Sequence, residues 1–308
     1  MIVESPRRIL LADADAFFVA VARLVDPEGA GREPLLIVGG TRESRGVVCS
    51  ASYETRKYGV RSAMPISRAL RLCPKAVCVP VPRKACSQKH REIRAVLERH
   101  APAVEGASID EWYLDLAGTE ALYHHESLAD TAARIRRDVI RETGLSVSFG
   151  GGTSKLIAKL AVEHAKHGSD GHGTGVHVVP PGQEQEFMRG IALAEIPLVG
   201  PRFQERLARL GMRTVPDVLQ YDRRTLAQWL GEREAAWLAD RVRGVDSAHV
   251  ESHLEAKSIS RDETFPVDID DDAELRKELL ALLTRAAADL RADGLAARTV
   301  RVKIRDHD

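Results

Sequence analysis

Apolar residues fall in short continuous runs over the first half of the chain and at helical spacing over much of the second. Ile9-Leu10-Leu11-Ala12 has strand length and ends at Asp13; Phe17, Phe18, Val21 and Leu24 follow at the spacing of a helix. Leu35-Leu36-Ile37-Val38 before Gly39-Gly40 predicts a buried strand and turn, and 46–52 a further strand opening a helix at Tyr53. Residues 67–72 predict a short helix closed by Pro74, and 88–100 an amphipathic helix with Ile93, Val96 and Leu97 on one face. A β-hairpin is expected over 103–116 with Glu105-Gly106 at or near its bend, then a helix over 128–143 and a strand over 145–150. Gly150-Gly151-Gly152 reads as a turn into a helix that carries Lys155, Lys159 and Lys166.

The alternation of strands and helices points to an α/β or α+β sheet domain in the first half. Residues 168–175 hold four glycines and little that could be buried, which suggests a loop and domain junction. From 181 to 244 the pattern is helical, punctuated by Pro197, Gly200, Pro201, Gly211 and Gly231. Residues 246–256 are polar and aperiodic, as a linker would be. A strand over 257–265, a helix over 273–292 striped with Leu275, Leu279, Leu283, Ala286 and Leu290, and a strand over 298–304 complete the reading. A strand–helix–strand unit alone makes a thin domain.

Composition narrows this only a little. With 308 residues the chain has room for two or more domains, and its 45 basic and 45 acidic side chains balance. Bulk charge therefore says nothing about nucleic acid, whose binding depends on local basic surface. No apolar run is long enough to span a membrane, and the N-terminus lacks the apolar core of a signal peptide. Cys49, Cys73, Cys78 and Cys86 lack the spacing of a zinc site and fit reduced thiols in a cytoplasmic protein. His164, His167, His172 and His177 are scattered without cysteine partners, which argues against zinc there too.

The chemistry is concentrated in Ser108-Ile109-Asp110-Glu111-Trp112-Tyr113-Leu114-Asp115, which sets two adjacent carboxylates at the head of an apolar strand. Asp13 adds a third at the end of another strand. Such a set suits Mg²⁺, which takes oxygen ligands and sits between carboxylates and phosphates. Adjacent residues of a flat strand point to opposite faces, so Asp110 and Glu111 need a bend to share an ion. Tyr53 and Arg56, three apart near a helix start, suit either a phosphate or an exposed polar face. Phe17-Phe18 alone reads as core.

Several separated motifs, in order, resemble the Y-family translesion DNA polymerases, especially the DNA polymerase IV branch. They are Asp13-Ala14-Asp15-Ala16-Phe17-Phe18, then the block from Ala51-Ser52-Tyr53-Glu54-Thr55-Arg56 through Gly59-Val60-Arg61-Ser62-Ala63-Met64-Pro65, then Ser108-Ile109-Asp110-Glu111. The resemblance implies an α+β fold: a ferredoxin-like palm over 1–15 and 80–172 with small fingers over 16–79. A helical thumb over 173–245 with a helix-hairpin-helix near 196–201, a linker over 246–256 and a partial βαβ little finger over 257–308 would follow. It implies catalysis by Asp13, Asp110 and Glu111 with two Mg²⁺ ions, to which the Ala14 carbonyl adds a ligand. Phe18 would be the steric gate against ribonucleotides, while Tyr53, Arg56 and Lys166 would bind the triphosphate. Val199, Gly200 and Arg202 would contact DNA.

Two departures stand out: Lys166 is followed by His167-Gly168 in place of Pro-Asn-Gly, and Leu198 replaces the first glycine of the hairpin turn. Ala22 also stands where the family commonly has Glu. The implied partners are primer–template DNA and dNTP; the chain would be monomeric, with no clear motif for a sliding clamp. A catalytically weak accessory protein of the same fold is the alternative, and a nucleotide cyclase the competing enzyme class. Retention of all three carboxylates favours the polymerase.

Overall fold

The computed structural model describes residues 6–43, 45–166, 174–252 and 257–305. The chain divides into two compact units, one of residues 1–21 and 83–253, the other of 22–82 and 254–308.

The first unit is built on a five-stranded sheet in the order β5-β6-β1-β7-β8. Its strands are β1 (Ile9–Ala14), β5 (Ala103–Gly106), β6 (Glu111–Asp115), β7 (Val147–Gly152) and β8 (Val176–Val178). β1 is central and antiparallel to β6 and β7, while β8 joins β7 in parallel. One face carries Leu10, Ala12, Trp112, Leu114 and Phe149, all buried. On that side α4 (Arg83–Glu98) and α5 (Leu128–Thr143) pack together, and His90 of α4 stacks on Trp112 at 5.0 Å. The α5 helix starts at Ser127, whose side chain accepts from the Asp130 N–H, and ends at Gly144 with φ 71°.

The opposite face carries Ile9, Leu11 and Asp13 beneath α6 (Lys155–Lys166), which contributes Ala158 and Val162 to the same core. The three glycines of β7 are strand residues rather than a turn. At Gly150 an added Cβ would lie 2.1 Å from the Ala158 carbonyl oxygen, so only glycine lets α6 sit this close. The hairpin bend falls at 107–110, directly after Glu105-Gly106, which end β5 and pair with β6. β8 extends the sheet past residue 172, where the sequence placed the end of the palm. Most of the expected glycine-rich junction, including His167 and His172, lies outside the described residues.

The rest of this unit is helical: α7 (Glu184–Arg189), a 3-10 turn (Leu193–Glu195), α8 (Pro201–Arg209), α9 (Val215–Leu219), α10 (Arg223–Leu230) and α11 (Glu232–Arg241). Ile196, Val199, Leu207, Val215, Leu226 and Leu238 form their core. Thr214 and Asp217 close a reciprocal cap at the start of α9. The expected linker is partly docked. The Arg7 guanidinium donates to the carbonyls of Asp246 and Ala248, the Glu251 N–H donates to Glu105 at 2.8 Å, and Val250 packs against Ile9 and Leu11. Its residues 253–256 are not among those described.

α1 (Phe17–Val25) starts in the first unit and ends in the second, where a small sheet orders β3 (Ser50–Ala51), β2 (Leu36–Gly39) and β4 (Val77–Pro80). Ile37, Val48, Val60, Ile66 and Ala69 form its core with α2 (Tyr53–Arg56) and α3 (Ile66–Leu72) around it. The C-terminal part of the unit corrects the expected βαβ pattern. α12 (Asp272–Ala292) forms, but neither 257–265 nor 298–304 is a strand. A strand needs a partner for its backbone groups, and neither segment has one among the described residues.

Candidate active site

The antiparallel register sets Asp13 opposite Glu111 on one side and Ser148 on the other, so their side chains share the face beneath α6. One step along, Glu105 lies opposite Tyr113 on the same face. Above them α6 presents lysines at positions i, i+4 and i+11, one stripe of the helix. Each lysine meets a different carboxylate: Lys155 reaches Glu105 at 2.6 Å, Lys159 reaches Glu111 at 2.6 Å, and Lys166 reaches Asp13 at 2.5 Å. Lys155 also lies 4.6 Å above the Tyr113 ring.

Asp13 is 5% exposed. Burial pushes its carboxyl up to about 7, Lys166 pulls it back, and the charge of Glu111 adds to the rise. Lys166 is held above its usual value despite its own desolvation, because the Asp13 charge favours the ammonium. The Lys166 ammonium donates to Asp13 Oδ2 at 2.5 Å. Tyr113 is pushed upward by burial and by Glu111 and Glu105.

Asp110 lies in the bend just before β6, and its carbonyl accepts from the Ala14 N–H at 2.9 Å. The backbone thus brings Asp110 beside the end of β1, supplying the bend that two adjacent carboxylates need. Its carboxylate is turned to Ser108, whose hydroxyl donates at 2.5 Å. Asp15 is tied to β7 by the hydroxyls of Ser146 at 2.6 Å and Ser148 at 2.8 Å. Ala16 then takes φ 45°, an uncommon value for a residue with a Cβ, and starts α1. Phe17 enters the core at 2% exposure, while Phe18 stays half-buried with its ring 5.6 Å from that of Phe17.

The donor chemistry of Asp13, Asp110, Glu111 and the Ala14 carbonyl is all oxygen, and Asp13 is a buried carboxylate whose charge needs a nearby cation. These groups fit a hard divalent ion. Among the described residues, however, no three acidic, imidazole or thiol side chains converge on one point. Lysine ammoniums and the Ser108 hydroxyl hold the carboxylates instead.

Tyr53 and Arg56 belong to the second unit. α2 has a single turn, and Ser52 caps it by accepting from the Thr55 N–H. The Arg56 Nε donates to the Ala51 carbonyl at 2.9 Å, with the guanidinium 4.8 Å from the Tyr53 ring centre. In the hairpin, Val199 is buried, and Gly200 begins α8 without a side-chain cap and ahead of an exposed Arg202. Leu198 stands 84% exposed at φ 72°, so the place of the missing glycine is filled by a residue in a strained left-handed conformation. A cleft of about 160 Å³ between the hairpin and α6 is lined by Tyr113, Lys155, Lys159, Leu198 and Arg241.

Sequence reasoning noted Lys155 and Lys159 but gave neither a partner. Their spacing was visible; that Glu105, Glu111 and Asp13 share one face needed the strand register. Among the described residues no helix is long and apolar enough to cross a membrane.

The profile of the impB/mucB/samB family matches residues 12–163, and that of the family's C-terminal domain matches 256–308. A DNA polymerase IV of Dehalococcoides mccartyi is 37% identical over 99% of this chain and 75% of its own length. Another, from Methanoculleus marisnigri, is 38% identical over 97% of this chain and 81% of its own. Among solved structures, a Y-family DNA polymerase chimera superposes with a TM-score of 0.78 at 26% identity, covering 91% of this chain and 80% of that one. DinB from Sulfolobus solfataricus gives 0.68 at 29% identity, over 80% and 69%.

Proposed function

The chain belongs to the impB/mucB/samB family and is a Y-family DNA-directed DNA polymerase of the DNA polymerase IV branch; from that premise we propose how its residues carry out nucleotide addition. Asp13, Asp110 and Glu111, with the Ala14 carbonyl, would hold two Mg²⁺ ions. When bound, these ions lower the pKa of the primer 3′-hydroxyl and hold the charge of the triphosphate and departing pyrophosphate. Asp13 would hold the ions from the end of the central strand, Glu111 would complete the site on the primer side, and Asp110 would be a further ligand. The observation that carries this reading is the shared face of Asp13 and Glu111 on adjacent strands.

Lys166, Tyr53 and Arg56 bind the triphosphate, the guanidinium by paired contacts to phosphate oxygens. Phe18, half-buried beside the core ring of Phe17, lies under the sugar and excludes a 2′-hydroxyl by overlap. The uncapped start of α8 at Gly200, with Val199 and Arg202, takes a DNA phosphate independently of sequence. The first unit holds palm and thumb, and the second holds fingers and little finger. Synthesis is of low fidelity and without proofreading.

The test is primer extension with dNTPs and with rNTPs, comparing the parent with Phe18→Ala. The parent extends with dNTPs only, and the variant gains rNTP use while keeping most dNTP use. An unchanged dNTP-to-rNTP ratio would move the gate away from Phe18, and no extension by the parent would reject the enzyme reading.

A further inference from the structure

The lysine stripe of α6 does more than pack the helix. Lys155 pairs with Glu105, a buried carboxylate that also accepts from the Glu251 N–H, so this pair fastens the chain after α11 to the sheet. Lys166 pairs with Asp13 and has a proposed role on the triphosphate. Lys159 has none, yet its ammonium sits 2.6 Å from Glu111, and both side chains are partly buried, at 30% and 23% exposure. Asp13 and Glu111 face each other across adjacent strands, and a cation between such like charges offsets their repulsion. Lys159 provides that cation.

We infer that Lys159 is a positioning residue for Glu111: in the resting site its ammonium stands where divalent charge is needed, and it withdraws when Glu111 takes up the ion. The inference rests on the proposed metal role of Glu111. A lysine suits the task, because a compact charge on a flexible four-carbon stem can swing while its Cα stays in the helix. The stem has somewhere to go: Lys159 also lines the 160 Å³ cleft beside Leu198 and Arg241. Asp110 is held in a similar way by Ser108, so all three carboxylates have an internal partner to exchange for the ion. Lys159 therefore keeps Glu111 oriented at the cost of competing with the metal.

Mn²⁺ binding separates this from a helix-packing ion pair. Free Mn²⁺ is measured by electron paramagnetic resonance in titrations of the full chain without DNA or dNTP. Lys159→Gln, and Lys159→Met, which keeps the stem but not the charge, bind Mn²⁺ about threefold to tenfold more tightly than the parent, as expected for removing a partly screened competing charge. Lys159→Arg retains the charge and binds like the parent. Lys155→Gln, whose partner lies outside the site, also binds like the parent. Unchanged or weaker Mn²⁺ affinity in both neutral variants, beside measurable binding by the parent, overturns the inference and leaves the metal site standing. Absence of Mn²⁺ binding by the parent overturns both.

Discussion

Helices α6 and α12 are both expected from the sequence, α6 as the helix that carries Lys155, Lys159 and Lys166 and α12 by its apolar stripe. α6 buries Leu156, Ile157, Ala158, Leu160, Ala161, Val162 and Ala165, whereas α12 buries nothing and leaves Leu279 and Leu283 exposed. What separates them is the surface opposite. β7 offers α6 a strand stripped of side chains at Gly150 and Gly152, where an added Cβ would strike the helix backbone or Ile157. α12 has no such surface among the described residues. Periodicity says which face of a helix is apolar; it takes a complementary surface to convert that face into stability. In α6 the tight seat has a second result, because it fixes the lysine stripe against the carboxylates.

The contrast can be broken most forcefully at Gly150. Gly150→Ala forces a Cβ against the Ala158 carbonyl, and overpacking of that kind costs about 3 kcal/mol, read as a fall in the urea midpoint with unchanged slope. A matched pair of truncations sharpens it. Ile157→Val in the fully buried seat of α6 should cost about 1 kcal/mol. Leu283→Ala on α12 should fall within about 0.5 kcal/mol of the parent, as exposed substitutions do. A loss at Leu283 equal to that at Ile157 would mean that α12 is covered in solution.

The smallest effect concerns the far end of α6, where His164 stacks on His177 at 5.4 Å and both meet the Phe187 ring. Burial, and then His164, hold His177 below its usual 6.5. The folded state thus binds its proton more weakly than the unfolded state does. Its contribution is present above about pH 6.5 and is lost as pH falls through the folded value. His177→Gln should flatten the decline in Tm between about pH 7 and about pH 5; a decline as steep as the parent's would assign it to other groups.

Much of this site was legible from one sequence. The apolar run before Asp13 and the strand after Glu111 located two carboxylates correctly at strand ends, and α5 spans the expected 128–143. One misreading comes from glycine, which serves turns and close approaches alike. Gly106 ends β5 just before the bend it was expected at or near; Gly150–Gly152 were taken for a turn and are the seat of α6. β4 and β8 escaped notice because four and three partly exposed residues carry too little periodicity. The strands expected on either side of α12 failed for another reason: 298–304 alternates, but neither segment has a partner strand among the described residues. The Lys159–Glu111 pair was hidden because it depends on register, a property of two strands together.

The central claim is that the face shared by Asp13 and Glu111 beneath α6 is where nucleotides are joined. Single-turnover incorporation of one dNTP on a primer–template, with the parent and Glu111→Ala at equal concentration, tests it most directly. Loss of metal-held charge at the transferring phosphoryl group amounts to several kcal/mol, so the variant should be slower by about a thousandfold or more while its circular dichroism and unfolding midpoint stay near the parent's. Incorporation within about threefold of the parent would contradict the claim and place the chemistry elsewhere.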